Sequence, residues 1–110
     1  MSLRIVYLDD EVALCEIFRD IFASNEIETL VFTDPEEAYV EINRQAPDLV
    51  FLDLRLGKTT GQEFAKRLDP KIPKVLVTAD LSFKQDGQFI RVLHKPYDLE
   101  ELQKYLESYL

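Results

Sequence analysis

The sequence predicts a doubly wound α/β fold, with a five-stranded parallel sheet in the order 2-1-3-4-5, on three observations. Short, almost wholly apolar runs alternate with stretches of helical periodicity; three of those runs end in a chemically distinctive residue; and two others carry the charges expected of sheet edges. Leu3 to Leu8 is the first such run, and its almost continuous apolarity is that of a strand buried on both faces. From Val12 to Ser24, apolar residues recur at Leu14, Ile17, Phe18, Ile21 and Phe22, a helical spacing that predicts one core-facing stripe. Cys15 lies in the same pattern and reads as a small core residue of a reducing compartment, since one cysteine cannot form an internal disulfide.

Glu28 to Phe32 reads as the second strand. Asp34-Pro35-Glu36-Glu37 then sets an N-cap, a first-turn proline and an N3 glutamate in the order that a helix start requires, because each answers or lacks an unpaired backbone N–H. That helix runs to about Ala46, and Pro47 ends it. Leu49 to Asp53 is the third strand, followed by a glycine-bearing loop, Gly57 to Gly61, and a short helical stretch to Leu68. Lys74 to Thr78 is the fourth strand and Phe89 to Leu93 the fifth. A last helix starts at Asp98, whose Asp98/Glu101 pair forms an acidic capping box ahead of Leu99, Leu102, Leu106 and Leu110. Five βα units result. Glu28 and Thr29 in the second strand, and Arg91 in the fifth, assign those two strands to the edges. Right-handed crossovers place helices over both faces.

Composition narrows the function. With 46% hydrophobic and 31% charged residues in 110, the chain reads as one folded domain, residues 1–110. Thirteen basic residues against 21 acidic ones give a net charge of −8, which repels nucleic-acid phosphate and anionic lipid, so neither is expected as a direct partner. No apolar run reaches the roughly 20 residues of a membrane span, and Met1-Ser2-Leu3-Arg4 lacks a secretion signal, so a cytoplasmic location is expected.

In such sheets ligands bind beyond the carboxyl ends of the strands, near the point where the winding reverses. Asp9-Asp10, Asp53, Thr78 and Lys95 all fall on that edge. Three carboxylates there would repel by about 3 kcal/mol per close pair, at about 5 Å and an effective dielectric of 20, so a cation is required. Hard oxygen donors without a Cys/His cluster favour Mg²⁺ over zinc, and Asp9, Asp10 and Asp53 are the expected ligands. A carboxylate so held, with an ammonium and a hydroxyl nearby, can attack phosphorus and become an acyl phosphate. Lys95, Thr78 and the backbone N–H beside it, at Ala79, would meet the phosphoryl oxygens.

These residues resemble the receiver domain of two-component response regulators over nearly the whole chain. The resemblance rests on the acidic pair in Tyr7-Leu8-Asp9-Asp10-Glu11, on Asp53 at the end of Asp48-Leu49-Val50-Phe51-Leu52-Asp53, on Thr78-Ala79 and on Lys95-Pro96. It implies a phosphoacceptor at Asp53, loaded by a histidine kinase or phosphotransfer protein. It also implies Mg²⁺ on Asp10, Asp53 and the Arg55 backbone carbonyl with Asp9 nearby, and a cis peptide before Pro96. The expected outcome is a change in partner binding: a switch that assists its own phosphotransfer and dephosphorylation, with no metabolic turnover.

Three departures stand out. Gly57 occupies a position where the family usually has proline, which predicts a looser loop after Asp53. Val92 stands where many members carry an aromatic residue that reports phosphorylation. Only 16 residues separate Thr78 from Lys95, which leaves Leu81 to Asp86 for a fourth helix of one turn or none, and the third helix is also short. Arg55 and Asp80 flank the expected site, and a salt bridge between them would impede attacking water. His94, at the end of an edge strand with no acid in reach, is expected to be neither a relay nor a phosphohistidine. Two rival readings are a receiver-like interaction module independent of phosphorylation and a small aspartyl phosphatase. The second is disfavoured because Asp53-Leu54-Arg55 lacks an acid two residues on to protonate a leaving group.

Overall fold

The structure is a computed structural model that describes residues 2–84 and 87–110. Its elements follow in chain order as β1 (Leu3–Leu8), α1 (Val12–Phe22), β2 (Ile27–Phe32), α2 (Pro35–Arg44) and β3 (Leu49–Asp53). There follow β4 (Arg55–Leu56), β5 (Thr59–Thr60), α3 (Gly61–Lys66), β6 (Lys74–Thr78), β7 (Arg91–His94) and α4 (Leu99–Glu107). Five strands form one parallel sheet in the order β2-β1-β3-β6-β7, which is the predicted order once the short β4–β5 ladder is set aside.

The three inner strands are buried at every position because both sheet faces are covered. One face carries Ile5, Tyr7, Phe51, Val75 and Val77 against Cys15, Phe18 and Phe22 of α1 and Leu102 and Leu106 of α4. The other carries Val6, Leu8, Val50, Leu52 and Leu76 against Ala38 and Ile42 of α2 and Phe64 and Ala65 of α3. Alternate residues of one strand thus feed two cores, as the pleat dictates.

Helix starts follow the local chemistry. The Asp34 and Asp98 carboxylates accept N–H groups in the first turns of α2 and α4, and the Thr60 hydroxyl does so for α3. In α1 Phe18 and Phe22 of the expected stripe are buried together with Cys15 and Leu14 is partly buried, whereas Ile17 and Ile21 are exposed, which corrects the stripe at those two positions. Leu99 and Leu110 are likewise exposed, and only Leu102 and Leu106 of that series enter the core.

One loop expectation changes and a second is narrowed. The segment after Asp53 is tight, not loose: β4 and β5 pair Arg55 with Thr60 and Leu56 with Thr59 around a two-residue turn. Gly57 holds φ 73° in that turn, a conformation closed to proline and strained for other side chains. Between β6 and β7 the described residues contain no helix, so the short fourth helix considered for Leu81–Asp86 is not formed over 81–84; Gln85 and Asp86 lie outside the described residues. Leu81 is exposed, and the Asp80 carboxylate turns the chain by accepting the Ser82 N–H at 2.9 Å and the Ser82 hydroxyl at 2.6 Å, a local bond that competes with helix formation. Among the described residues, no helix is long and apolar enough to cross a membrane.

Candidate functional site

Strand register brings the polar residues together. Leu8 pairs with Leu52, and Asp53 with Val77, so β1, β3 and β6 end at nearly one level. The register continues one step past the strands, with the Asp9 N–H bonded to the Phe32 carbonyl and the Lys95 N–H to the Thr78 carbonyl. An open cleft of about 600 Å³ results, lined in part by Asp10, Asp53, Arg55, Thr78, Ala79 and Lys95.

Lys95 occupies the centre. Its Nζ donates to Asp9 Oδ2 at 2.9 Å and pairs with Asp53 Oδ1 at 2.9 Å. Asp9 is completely buried, Asp53 nearly so, and Asp10 is exposed at the rim. Carboxylate oxygens of the three lie within 4.8 Å of one another, with one ammonium against three negative charges.

Electrostatics follow from this crowding. Burial, then the neighbouring Asp9 charge, push the Asp53 carboxyl above its ordinary range, against the opposing pull of Lys95 and of a hydrogen bond from the Arg55 backbone N–H. Burial alone would lower the Lys95 ammonium, yet its hydrogen bonds and charge contacts with Asp53 and Asp9 outweigh that and raise it. Such a site suits a hard divalent cation: its donors are all oxygen, they converge, and their charge exceeds what Lys95 offsets.

Thr78 is buried, and its Oγ1 accepts the Asp80 N–H at 3.0 Å, which leaves the hydroxyl proton free to turn toward the cleft. Ala79 is exposed on the same wall. The Lys95–Pro96 peptide is cis. His94 is exposed. Arg55 and Asp80 both line the cleft, but among the described residues no ion pair joins them, which corrects the expected bridge. Asp80 spends its Oδ1 on Ser82; these hydrogen bonds, and more weakly the Arg55 charge, hold its carboxyl below the usual range.

Three residues escaped the sequence reading. Glu11 lines the cleft, and its backbone N–H donates to Asp9 Oδ1 at 3.0 Å. Tyr7 donates its hydroxyl to Asp9 Oδ2 at 3.1 Å, and Tyr97 Oη stands 3.3 Å from Tyr7 Oη. A signal for Tyr7 existed, since residues two apart on a strand share a face.

Close behind the site, Gly61 packs on Asp53: a Cβ there would come within 2.5 Å of the Asp53 carbonyl oxygen. The Gly61 N–H also donates to the Leu54 carbonyl at 2.9 Å. This explains a glycine at the first position of a helix, where its flexibility is otherwise a disadvantage.

Comparison with known proteins agrees with this architecture. The family model for the response regulator receiver domain matches residues 5–107. Sporulation initiation phosphotransferase F of Bacillus subtilis is 25% identical over 118 residues, covering 100% of this chain and 95% of that protein. The sensory transduction protein LytT of the same organism is 32% identical over 121 residues, covering 97% of this chain, which spans just under half (48%) of LytT. A CheY-like receiver domain structure from Methylobacillus flagellatus superimposes with a TM-score of 0.86 at 20% identity, with 100% of both chains covered. The chain therefore belongs to the response regulator receiver domain family, the phosphoacceptor signalling modules of two-component systems.

Proposed function

We propose that residues 1–110 act as one receiver domain in which Asp53 accepts a phosphoryl group from a phosphohistidine on a kinase or phosphotransfer protein. The observation that carries this reading is Lys95 Nζ held 2.9 Å from both Asp9 and Asp53 at the floor of a cleft rimmed by Asp10 and Thr78. An Asp53 carboxylate oxygen attacks phosphorus as the N–P bond breaks, and the imidazole leaves with the electron pair of that bond and takes a proton. Lys95 pairs with one phosphoryl oxygen; the Thr78 hydroxyl and Ala79 N–H donate to others, so developing charge meets donors already fixed. Asp9, Asp10, Asp53 and the Arg55 carbonyl would hold Mg²⁺, which supplies charge neutralisation at the phosphoryl oxygens. Hydrolysis of the acyl phosphate resets the switch, and the phosphorylated face binds a protein partner differently. The acidic surface argues against direct contact with nucleic acid or anionic membrane. A cytoplasmic setting fits both a kinase partner and a reduced Cys15.

The test is incubation with a small acyl-phosphate donor, read as added mass. Wild type should gain one phosphoryl group in Mg²⁺ and none in excess chelator, and Asp53→Asn should gain none in either. Equal labelling of Asp53→Asn would overturn the assignment. A second reading, a partner-binding module indifferent to phosphorylation, draws on the absence of a helix over 81–84. Partner affinity that is the same before and after Asp53 modification would favour it.

A further inference from the structure

A chain of hydrogen bonds leaves the site through the protein interior. Tyr7 is fully buried, stacked on Phe18 with ring centroids 4.2 Å apart, and its hydroxyl reaches Asp9 Oδ2. An ionised carboxylate only accepts, so the single Tyr7 proton is committed to Asp9. The 3.3 Å contact with Tyr97 then has one consistent polarity, in which the Tyr97 hydroxyl donates to Tyr7 Oη. Tyr97 is half-buried, and it helps line a second cleft, about 340 Å³, between β7 and α4 with Leu93, Pro96, Glu101 and Leu102. The sequence of bonds is therefore Tyr97 to Tyr7 to Asp9, with Lys95 donating to the same Asp9 oxygen from the other side.

We propose that Tyr7 is a positioning residue that links the state of Asp53 to Tyr97 and the β7–α4 cleft. This rests on the phosphoacceptor reading and adds the route by which the site is read at the surface. In the unphosphorylated protein, Asp9 Oδ2 shares two donors, Lys95 and Tyr7. A phosphoryl oxygen on Asp53 competes for the Lys95 ammonium. As Lys95 turns to it, Tyr7 becomes the principal donor to Asp9 Oδ2, its bond tightens, and the polarisation passes to the Tyr97 hydroxyl. Tyr97 and the cleft it lines change in consequence.

The experiment uses the 110-residue chain with ¹³Cζ-labelled tyrosine, phosphorylated in Mg²⁺ until mass shows complete modification. Relative to unphosphorylated protein in the same Mg²⁺, the Tyr7 and Tyr97 signals of wild type should both shift, with Tyr39, Tyr105 and Tyr109 unmoved. In Tyr7→Phe, which keeps the ring stacking and deletes only the hydroxyl, the Tyr97 shift should fall at least threefold at the same extent of modification. Tyr97→Phe, with its exposed edge, guards against a folding defect: there the Tyr7 signal should still respond. A Tyr97 shift undiminished in Tyr7→Phe, or absent in fully phosphorylated wild type, overturns the link alone. No phosphoryl gain in wild type overturns the phosphoacceptor reading and the link with it.

Discussion

Lys95→Met keeps the side chain's length and deletes the ammonium that faces Asp9 and Asp53 at 2.9 Å each. At an effective dielectric of 20, each contact corresponds to about 6 kcal/mol of gross attraction. The ammonium's own desolvation cancels much of that, and removing one partner of a buried pair costs about 3–5 kcal/mol net. Side-chain exposures of 17% for Lys95 and 10% for Asp53 leave some water at the site, so the low end, about 3 kcal/mol, is expected. In a domain of this size that lowers the melting temperature by roughly 12 °C. Urea unfolding followed by far-ultraviolet circular dichroism measures it directly. At pH 7 without Mg²⁺ the variant's midpoint should fall well below that of wild type, and added Mg²⁺ should raise the variant more, because binding to the folded state supplies the missing positive charge. The pH dependence has a definite sign. The folded-state pKa of Lys95 is raised, so its contribution is complete below the ordinary lysine value and disappears as pH climbs through the raised one. On the acid side the raised Asp53 carboxyl protonates, and the variant's deficit should shrink as pH falls through that range. Equal midpoints at pH 7, or a deficit undiminished in acid, would refute the argument.

Asp53→Asn should be more stable than wild type at neutral pH without Mg²⁺. Its carboxyl titrates above the unfolded value, so ionisation opposes folding as pH rises through that range, and the two urea midpoints should converge in acid. Gly61→Ala forces a methyl against the Asp53 carbonyl and Leu76 Cδ1, and should cost about 1–3 kcal/mol in chemical denaturation while slowing phosphoryl incorporation. Burial, then the Asp9 charge, push the Cys15 thiol up to about 11, so an aromatic disulfide reagent at about pH 8 should label it only at the rate of unfolding. Fast labelling of folded protein would contradict the burial of Cys15.

How much of this was legible beforehand depends on whether the deciding physics is local. Strand order was, because Glu28 and Arg91 mark edge strands while the runs leading to Asp9, Asp53 and Thr78 are the most uniformly apolar. The caps at Asp34 and Asp98 were legible for the same reason: each bond closes within three residues. The stripe of α1 was drawn too wide since its apolar residues surround more than one face, and only packing against Phe51 and Tyr7 keeps Phe18 in the core while Ile17 stays exposed. Gly57 was read through a family proline when its own φ explains it. The Arg55–Asp80 bridge failed because Ser82, two residues on, satisfies Asp80 first. Tyr7 lay unremarked in the apolar run of β1, and only three dimensions reveal that its hydroxyl meets Asp9.

The most direct test of the central claim asks where the phosphoryl group resides. Borohydride reduces an acyl phosphate of aspartate to homoserine, and peptide mapping then locates that residue in the phosphorylated protein. The account requires homoserine at position 53 alone, formed only when Mg²⁺ was present during phosphorylation. Homoserine at position 9 or 10, or a phosphoryl group retained on His94, would contradict it.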